Sequence, residues 1–265
     1  MITRRTFSQL VTAGGAAALA AIAAPAASAA VASPAAVSPG ARKVRNVVLV
    51  HGAYADGSCW TDVIPQLQAA GLTVTSVQNP LTSLADDVDA TKRVLDLQNG
   101  PTVLVGHSYA GSVISQAGDH PAVSSLVYLS ARAPEAGEDY PALAAKFPTP
   151  PANAGLVFQN GFGQLTEDAF LNDFANGVPE SRARVLYAVQ GRIAQTLFAT
   201  KTSVAAWTQK PSRYLVTTQD RTTTTELQRF VAQRMKATTI EVRSGHLSLI
   251  THPRTVSRFI LDATK

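Results

Sequence analysis

Residues 100–113, Gly-Pro-Thr-Val-Leu-Val-Gly-His-Ser-Tyr-Ala-Gly-Ser-Val, constrain the fold more than any other stretch of the chain. Thr102 to Val105 is a short run rich in β-branched residues, the pattern of a parallel strand buried on both faces. From Gly111 to Ala117 the spacing is helical. The chain must therefore turn sharply through Gly106-His107-Ser108-Tyr109-Ala110-Gly111. A serine at the tip of such a turn is pushed out of the sheet, beside the positive end and free N–H groups of the next helix. Nucleophilic acyl transfer needs that geometry. The strict pattern is G-x-S-x-G. Here Ala110 holds the second glycine position and Gly111 follows one step later. Alanine is the smallest substitute where backbone segments pass closely, so the stretch reads as a variant of this turn. The competing reading is an ordinary strand-to-helix loop that happens to hold a serine.

The flanking sequence repeats the strand–helix rhythm. Asn46 to Val50 predicts a first strand, followed by the glycine-punctuated loop His51 to Ser58. A helix over Cys59 to Ala70 and a strand over Leu72 to Val77 come next. Ser83-x-x-Asp86 is a helix start signal. Leu84, Val88, Thr91 and Leu95 then share one face. Val123 to Leu129 predicts a fourth strand. After residue 206, strands over Ser212–Thr217 and Thr239–Arg243 bracket a helix that begins at Thr225, with Phe230, Val231 and Met235 on its inner face. A closing helix runs from about Thr255 to Ala263. This alternation implies an α/β fold, a mostly parallel sheet with helices on both faces. In such sheets ligands bind at the carboxyl ends of the strands.

Residues 133–206 break the rhythm. Pro148, Pro150 and Pro151 crowd together, and short helices are expected around Thr166–Phe174 and Glu180–Val189. Six of the nine phenylalanines fall here: Phe147, Phe158, Phe162, Phe170, Phe174 and Phe198. An insertion this aromatic reads as a lid over an apolar pocket, or as a small core of its own. The expected core is thus 44–132 with 207–265, and the lid 133–206. Upstream, Thr3-Arg4-Arg5-Thr6-Phe7, an Ala-rich apolar segment and Ala27-Ser28-Ala29 predict a twin-arginine-type export signal over residues 1–29. Residues 30–43 read as a linker. The apolar segment is too short and too weakly apolar for a membrane span.

The net charge is +5, of which Arg4 and Arg5 supply two, and basic residues are scattered, so no nucleic-acid stripe is expected. Cys59 is the single cysteine, which excludes an intramolecular disulfide. It is expected to pack as a small buried residue. No His/Cys/Asp cluster has metal-ligand spacing, so no metal is expected.

Three residues, Ser108, Asp220 and His246, each follow a predicted strand of the same sheet, so their tips can meet. A serine hydroxyl is a poor nucleophile until a base takes its proton. His246 would be that base, and Asp220 would orient and stabilise its imidazole. Backbone N–H groups of Ala53 and Tyr109 are the candidate donors to the oxyanion of a tetrahedral intermediate. For the base, His252 is the competitor. For the acid it is Glu135, and Asp220 could instead be a helix-capping or turn aspartate. His120 is read as a surface turn.

The segments Val48–Ala53, Gln78–Asp87, Val103–Gly111 and Ser244–His246 resemble the α/β-hydrolase superfamily, especially bacterial esterase-like members, over residues 44–263. The chain order Ser…Asp…His belongs to that superfamily. The resemblance implies its fold, a lid and a Ser-His-Asp mechanism without a cofactor. It gives His51 and His107 loop-shaping roles. Haloalkane dehalogenases of this fold carry an aspartate where Ser108 stands, and plant hydroxynitrile lyases carry a lysine where Leu247 stands. The expected function is an exported serine hydrolase that cleaves small to medium apolar carboxylic esters. The rival readings are amide, lactone or carbonate hydrolysis or perhydrolysis on the same triad, and a ligand-binding protein with a nearly inert triad. The expected partner is a small-molecule ester, and oligomeric state is left open.

Overall fold

The computed structural model describes residues 43–265. The expected export signal and nearly all of the expected linker lie outside the described residues. The chain begins with β1 (Asn46–Val50), α1 (Ile64–Ala69), β2 (Thr73–Val77), α2 (Leu84–Asp96), β3 (Thr102–His107), α3 (Ala110–Ala117) and β4 (Val123–Leu129). A long excursion follows. It holds α4 (Tyr140–Ala144), β5 (Leu156–Gln159), β6 (Phe162–Leu165), α5 (Glu167–Ala169), a π turn over Phe170–Phe174, α6 (Glu180–Ala188) and β7 (Ile193–Ala194). The rhythm then resumes with β8 (Ser212–Thr217), α7 (Thr225–Arg234), β9 (Thr238–Val242), α8 (Ser248–Thr251) and α9 (Pro253–Asp262).

Six strands form one sheet in the order β2-β1-β3-β4-β8-β9, every pair parallel. The physical basis is plain in the sequence. Every residue of β1 and β3 is buried, as their unbroken apolar runs require of central parallel strands. The edge strands β2 and β9 are mostly polar and partly exposed. Helix α1 packs with α9, and α2 with α3. The winding reverses between β1 and β3, because β1 leads outward to β2 while β3 leads the other way to β4. In register, Val50 lies beside Gly106, His107 beside Leu129, and Thr217 beside Val242. The strands therefore end along one edge, and the loops that leave it meet at the switch point, where such sheets bind ligands.

Several expectations hold in detail. Leu84, Val88, Thr91 and Leu95 are all buried, and Ser83 caps α2 by accepting from the Asp86 N–H at 3.0 Å. Cys59 is buried, and burial pushes its thiol well above the usual range. Others need correction. The helix expected over Cys59–Ala70 splits into a 3₁₀ turn at Gly57–Trp60 and the short α1, with Pro65 in the first turn of the latter, where its missing N–H does no harm. Phe230 is 40% exposed rather than core. Gln228 occupies the inward position of α7 instead. The excursion also contains an unforeseen three-stranded antiparallel sheet, β5-β6-β7. Its strands are only two to four residues long and β5 is largely exposed, so they carry little apolar periodicity.

Candidate active site

The turn after β3 has the sharpness that its sequence demands. Ser108 sits at φ 56°, a left-handed conformation that a non-glycine residue adopts only when its surroundings hold it there. Those surroundings are backbone. The Ser108 N–H donates to the Leu129 carbonyl at 3.1 Å, and the Ser108 carbonyl accepts from the N–H groups of Gly111 and Arg132, each at 3.0 Å. A Cβ at position 111 would lie 1.8 Å from the Arg132 carbonyl oxygen. Glycine is therefore required at 111, one residue later than the strict pattern places it. A Cβ at Gly52 would meet Ser108 Cβ at 2.8 Å, so the loop after β1 also presses on the serine.

His246 follows β9 and is fully buried. Its Nδ1 lies 2.7 Å from Asp220 Oδ2, with both side chains sealed from solvent. Asp220 also accepts hydrogen bonds from Thr217 Oγ1, Gln228 Nε2 and the N–H groups of Thr222 and Thr223, at 2.8–2.9 Å. Burial works to raise the Asp220 carboxyl. The neighbouring imidazole and the two backbone donors outweigh it and hold the carboxyl below its usual range. The other nitrogen of His246, Nε2, has no hydrogen-bond partner among the described residues.

Two further histidines fix the frame. His107 Nε2 lies 3.0 Å from the His246 carbonyl, and the two rings are 4.6 Å apart, which ties the strand that carries Ser108 to the loop that carries His246. Burial, with the His246 ring second, pushes His107 down to about 3, so it stays neutral. His51 Nε2 accepts from the Asn79 N–H at 2.9 Å while its Nδ1 bonds the Gly52 carbonyl at 2.9 Å. Burial lowers His51 too. Neither N–H of Ala53 and Tyr109 is engaged by another described residue, and Tyr109 stands at the N-terminus of α3, where N–H groups have no helical acceptor.

The competing residues lie elsewhere. Glu135 is exposed and faces Arg234 at 3.9 Å, and His252 bonds Thr251 Oγ1. His120 pairs with Asp96 at 3.0 Å. A cavity of about 460 Å³ opens beside Ser108, Ala53, Tyr54 and Tyr109 and runs under the excursion. Of the six phenylalanines there, Phe147 and Phe198 line the cavity, Phe170 and Phe174 are buried, and Phe158 and Phe162 are exposed. A broader surface hollow bordered by Glu167 and Arg184 contains none of the site residues. Among the described residues there is no cluster of His, Cys, Asp and Glu that could hold a metal, and no helix long and apolar enough to cross a membrane.

Three residues of this region escaped the sequence reading. Asp87, on the core face of α2, accepts from Tyr109 Oη at 2.9 Å and from the Leu81 N–H at 2.8 Å. Gln228 takes a core position of α7 and donates to Asp220. Arg132 lines the cavity. Their shared signal is a polar residue at an inward position, which folding tolerates only with a partner.

Comparison with known proteins agrees with this architecture. The chain is 34% identical over 126 residues to a carbendazim-hydrolysing esterase of Nocardioides sp., covering 42% of this chain and 52% of that one. It is 33% identical over 101 residues to a pyrethroid hydrolase of Sphingobium wenxiniae, covering 33% and 36%. The chain thus spans about half or less of the length of these relatives. Among solved structures, polyneuridine aldehyde esterase superposes with a TM-score of 0.72 at 18% identity, over 84% of this chain and all of that one. A pyrethroid hydrolase from Sphingobium faniae gives 0.68 at 19%, over 83% and 97%. At such identities the likeness speaks to fold alone. The sequence model of the alpha/beta hydrolase family, however, matches residues 47–259, from β1 into α9, and on that match the chain belongs to the alpha/beta hydrolase family.

Proposed function

We propose that the protein is a serine hydrolase that cleaves carboxylic esters of small to medium size, with Ser108, His246 and Asp220 as its triad. The observation that carries this reading is the sealed 2.7 Å contact between His246 Nδ1 and Asp220 Oδ2, which leaves Nε2 unpartnered, with the His246 ring 4.6 Å from that of His107, the residue before Ser108. Ser108 Oγ attacks the ester carbonyl carbon as His246 Nε2 takes its proton. The N–H groups of Ala53 and Tyr109 stabilise the oxyanion, and loss of one such donor typically costs about 3 kcal/mol. On collapse the carbon–oxygen bond to the alcohol breaks, and the alcohol leaves with the proton held by His246. Water then repeats the sequence on the acyl-enzyme, releasing the acid and restoring the serine. The names of the relatives, an esterase and a pyrethroid hydrolase, support hydrolytic chemistry.

Residues 133–206 act as the lid, and Phe147 and Phe198 give its inner face an apolar lining. The paired arginines and Ala27-Ser28-Ala29 support export through the twin-arginine route. The test is hydrolysis of a graded series of p-nitrophenyl esters by residues 43–265 beside Ser108→Ala, with fluorophosphonate labelling of both. Turnover and labelling by the parent alone are expected. Equal turnover by the variant would refute the mechanism, and a folded parent that neither turns over nor labels would leave a binding protein.

A further inference from the structure

Arg132 sits at the junction of the site and the excursion. Its backbone is fixed by the Ser108 carbonyl on one side and by the space left at Gly111 on the other. Its guanidinium carbon lies over the ring of Phe198, 4.3 Å from the centroid, and 5.2 Å from that of Tyr140. Its one hydrogen bond runs from Nη1 to the Phe198 carbonyl at 3.2 Å. Aromatic faces are favourable to a cation, but they do not neutralise it.

The contrast with Arg234 is informative. That guanidinium is also largely buried, and it makes a two-pronged ion pair with Glu138 at 2.6 and 3.0 Å. Arg132 forms no ion pair with any described carboxylate. Burial lowers its pKa, and the only groups that work to raise it are Tyr140, Tyr109 and Tyr54. The cavity lining contains no aspartate and no glutamate, so Arg132 is its single formal charge. Asp87, behind Tyr109, is already taken by the Tyr109 hydroxyl and the Leu81 N–H.

The same cavity holds other unspent polar groups. Tyr140 Oη, Thr222 Oγ1 and Thr224 Oγ1 are buried without hydrogen-bond partners, and all three residues line it. A buried charge and buried hydroxyls without partners are unfavourable unless something supplies acceptors. A guanidinium that spends only Nη1 on a hydrogen bond keeps its other N–H groups for a planar, two-oxygen acceptor, and carboxylate is the natural match.

We propose that Arg132 binds a carboxylate of the substrate, so that the preferred esters are hemiesters of dicarboxylic acids rather than neutral esters. This deepens, and rests on, the ester-hydrolase reading above. The free carboxylate pairs with the guanidinium edge, Tyr140 and Thr224 hydroxyls donate to its remaining lone pairs, and the ester carbonyl reaches Ser108. Arg132 and Ser108 line the same cavity, so one substrate can reach both.

The experiment compares kcat/KM for monoethyl adipate and diethyl adipate in the parent, Arg132→Gln and Arg132→Lys. The parent is expected to favour the hemiester, and Arg132→Gln to lose that preference by about 10- to 100-fold, as befits hydrogen bonds to a charged group. Arg132→Lys retains part of it. A purely structural arginine would change both rates alike and leave the ratio fixed. That result, or a parent that prefers the diester, overturns the proposal. Calorimetric binding of monoethyl adipate, diethyl adipate and ethyl phosphate to Ser108→Ala tests the subsite without catalysis. If no ester is turned over, selective binding of the hemiester still upholds the anion site while the hydrolase reading falls. Tighter binding of ethyl phosphate overturns carboxylate as the ligand. If Arg132→Gln fails to fold, the parent ratio and the Ser108→Ala binding decide alone.

Discussion

The two ends of the cavity are built on opposite terms. At the strand-end side the carboxylate is saturated: Asp220 accepts from Thr217, Gln228, Thr222 and Thr223 as well as His246. At the side under the excursion the Arg132 guanidinium has one hydrogen bond and no ion pair, and the hydroxyls of Tyr140, Thr222 and Thr224 have no hydrogen-bond partner among the described residues. A saturated network holds a reactive constellation in one geometry before anything binds. An unsaturated one gains its missing partners from water or from a ligand. The first arrangement suits chemistry and the second suits selection.

The comparison breaks first if the saturated end tolerates damage. Asp220→Asn is expected to lower kcat on p-nitrophenyl butyrate by about 10⁴-fold with the fold retained, because the amide misorients the imidazole. A loss smaller than tenfold would mean that the network does not organise the base. Gly111→Ala comes next. Its methyl group would overlap the Arg132 carbonyl, and the overpacking should cost about 3 kcal/mol in urea unfolding, or leave the protein insoluble. A wild-type midpoint in that variant would show the turn to be loose.

The two buried carboxylates sharpen the contrast through pH. Asp87 is pushed up to about 6 by burial, against the opposing hydrogen bonds from Leu81 and Tyr109. Its contribution is therefore complete below the unfolded value near 4 and is lost as pH rises through about 6, up to about 3 kcal/mol in all. Asp220 is held low, so its contribution is present above that unfolded value and is lost as pH falls through its folded one. Burial lowers His51 and His107, which adds an opposite slope to both proteins, so the stability of the parent relative to Asp87→Asn, read from urea midpoints between pH 4.5 and 7.5, should fall with rising pH. A constant difference would mean that Asp87 titrates normally. The smallest effect belongs to Gln228→Leu, which removes one donor from Asp220 and should reduce kcat by about tenfold, in keeping with the loss of a hydrogen bond to a charge.

Much of this was readable from the chain, and the unread part has a physical reason. Central parallel strands must be apolar on both faces, so the apolar stretches of β3 and β8 stand out with sharp ends. Ser108 follows β3, Asp220 follows β8, and the Ser244-Gly245 step after the more polar β9 points to His246. The hairpin of β5 and β6 left no such mark, because Val157, Phe158 and Phe162 face outward and Gly163 packs under the Phe158 ring. Arg132 was passed over for another reason. A lone arginine after a strand looks like a solvated charge, and only the cavity geometry reveals that no carboxylate answers it.

The neutral histidines on either side of the triad have a consequence for proton bookkeeping. His51 spends its ring nitrogens on the loops after β1 and β2, and His107 is kept uncharged by its surroundings even though its Nδ1 is unbonded. Neither can serve as a way station. In the proposed mechanism a proton that leaves Ser108 has a single address, Nε2 of His246, and must return from there to the departing alcohol. Traffic on a one-berth line cannot be stored or diverted, so each acyl transfer in that mechanism delivers its proton to the leaving group before the next can begin.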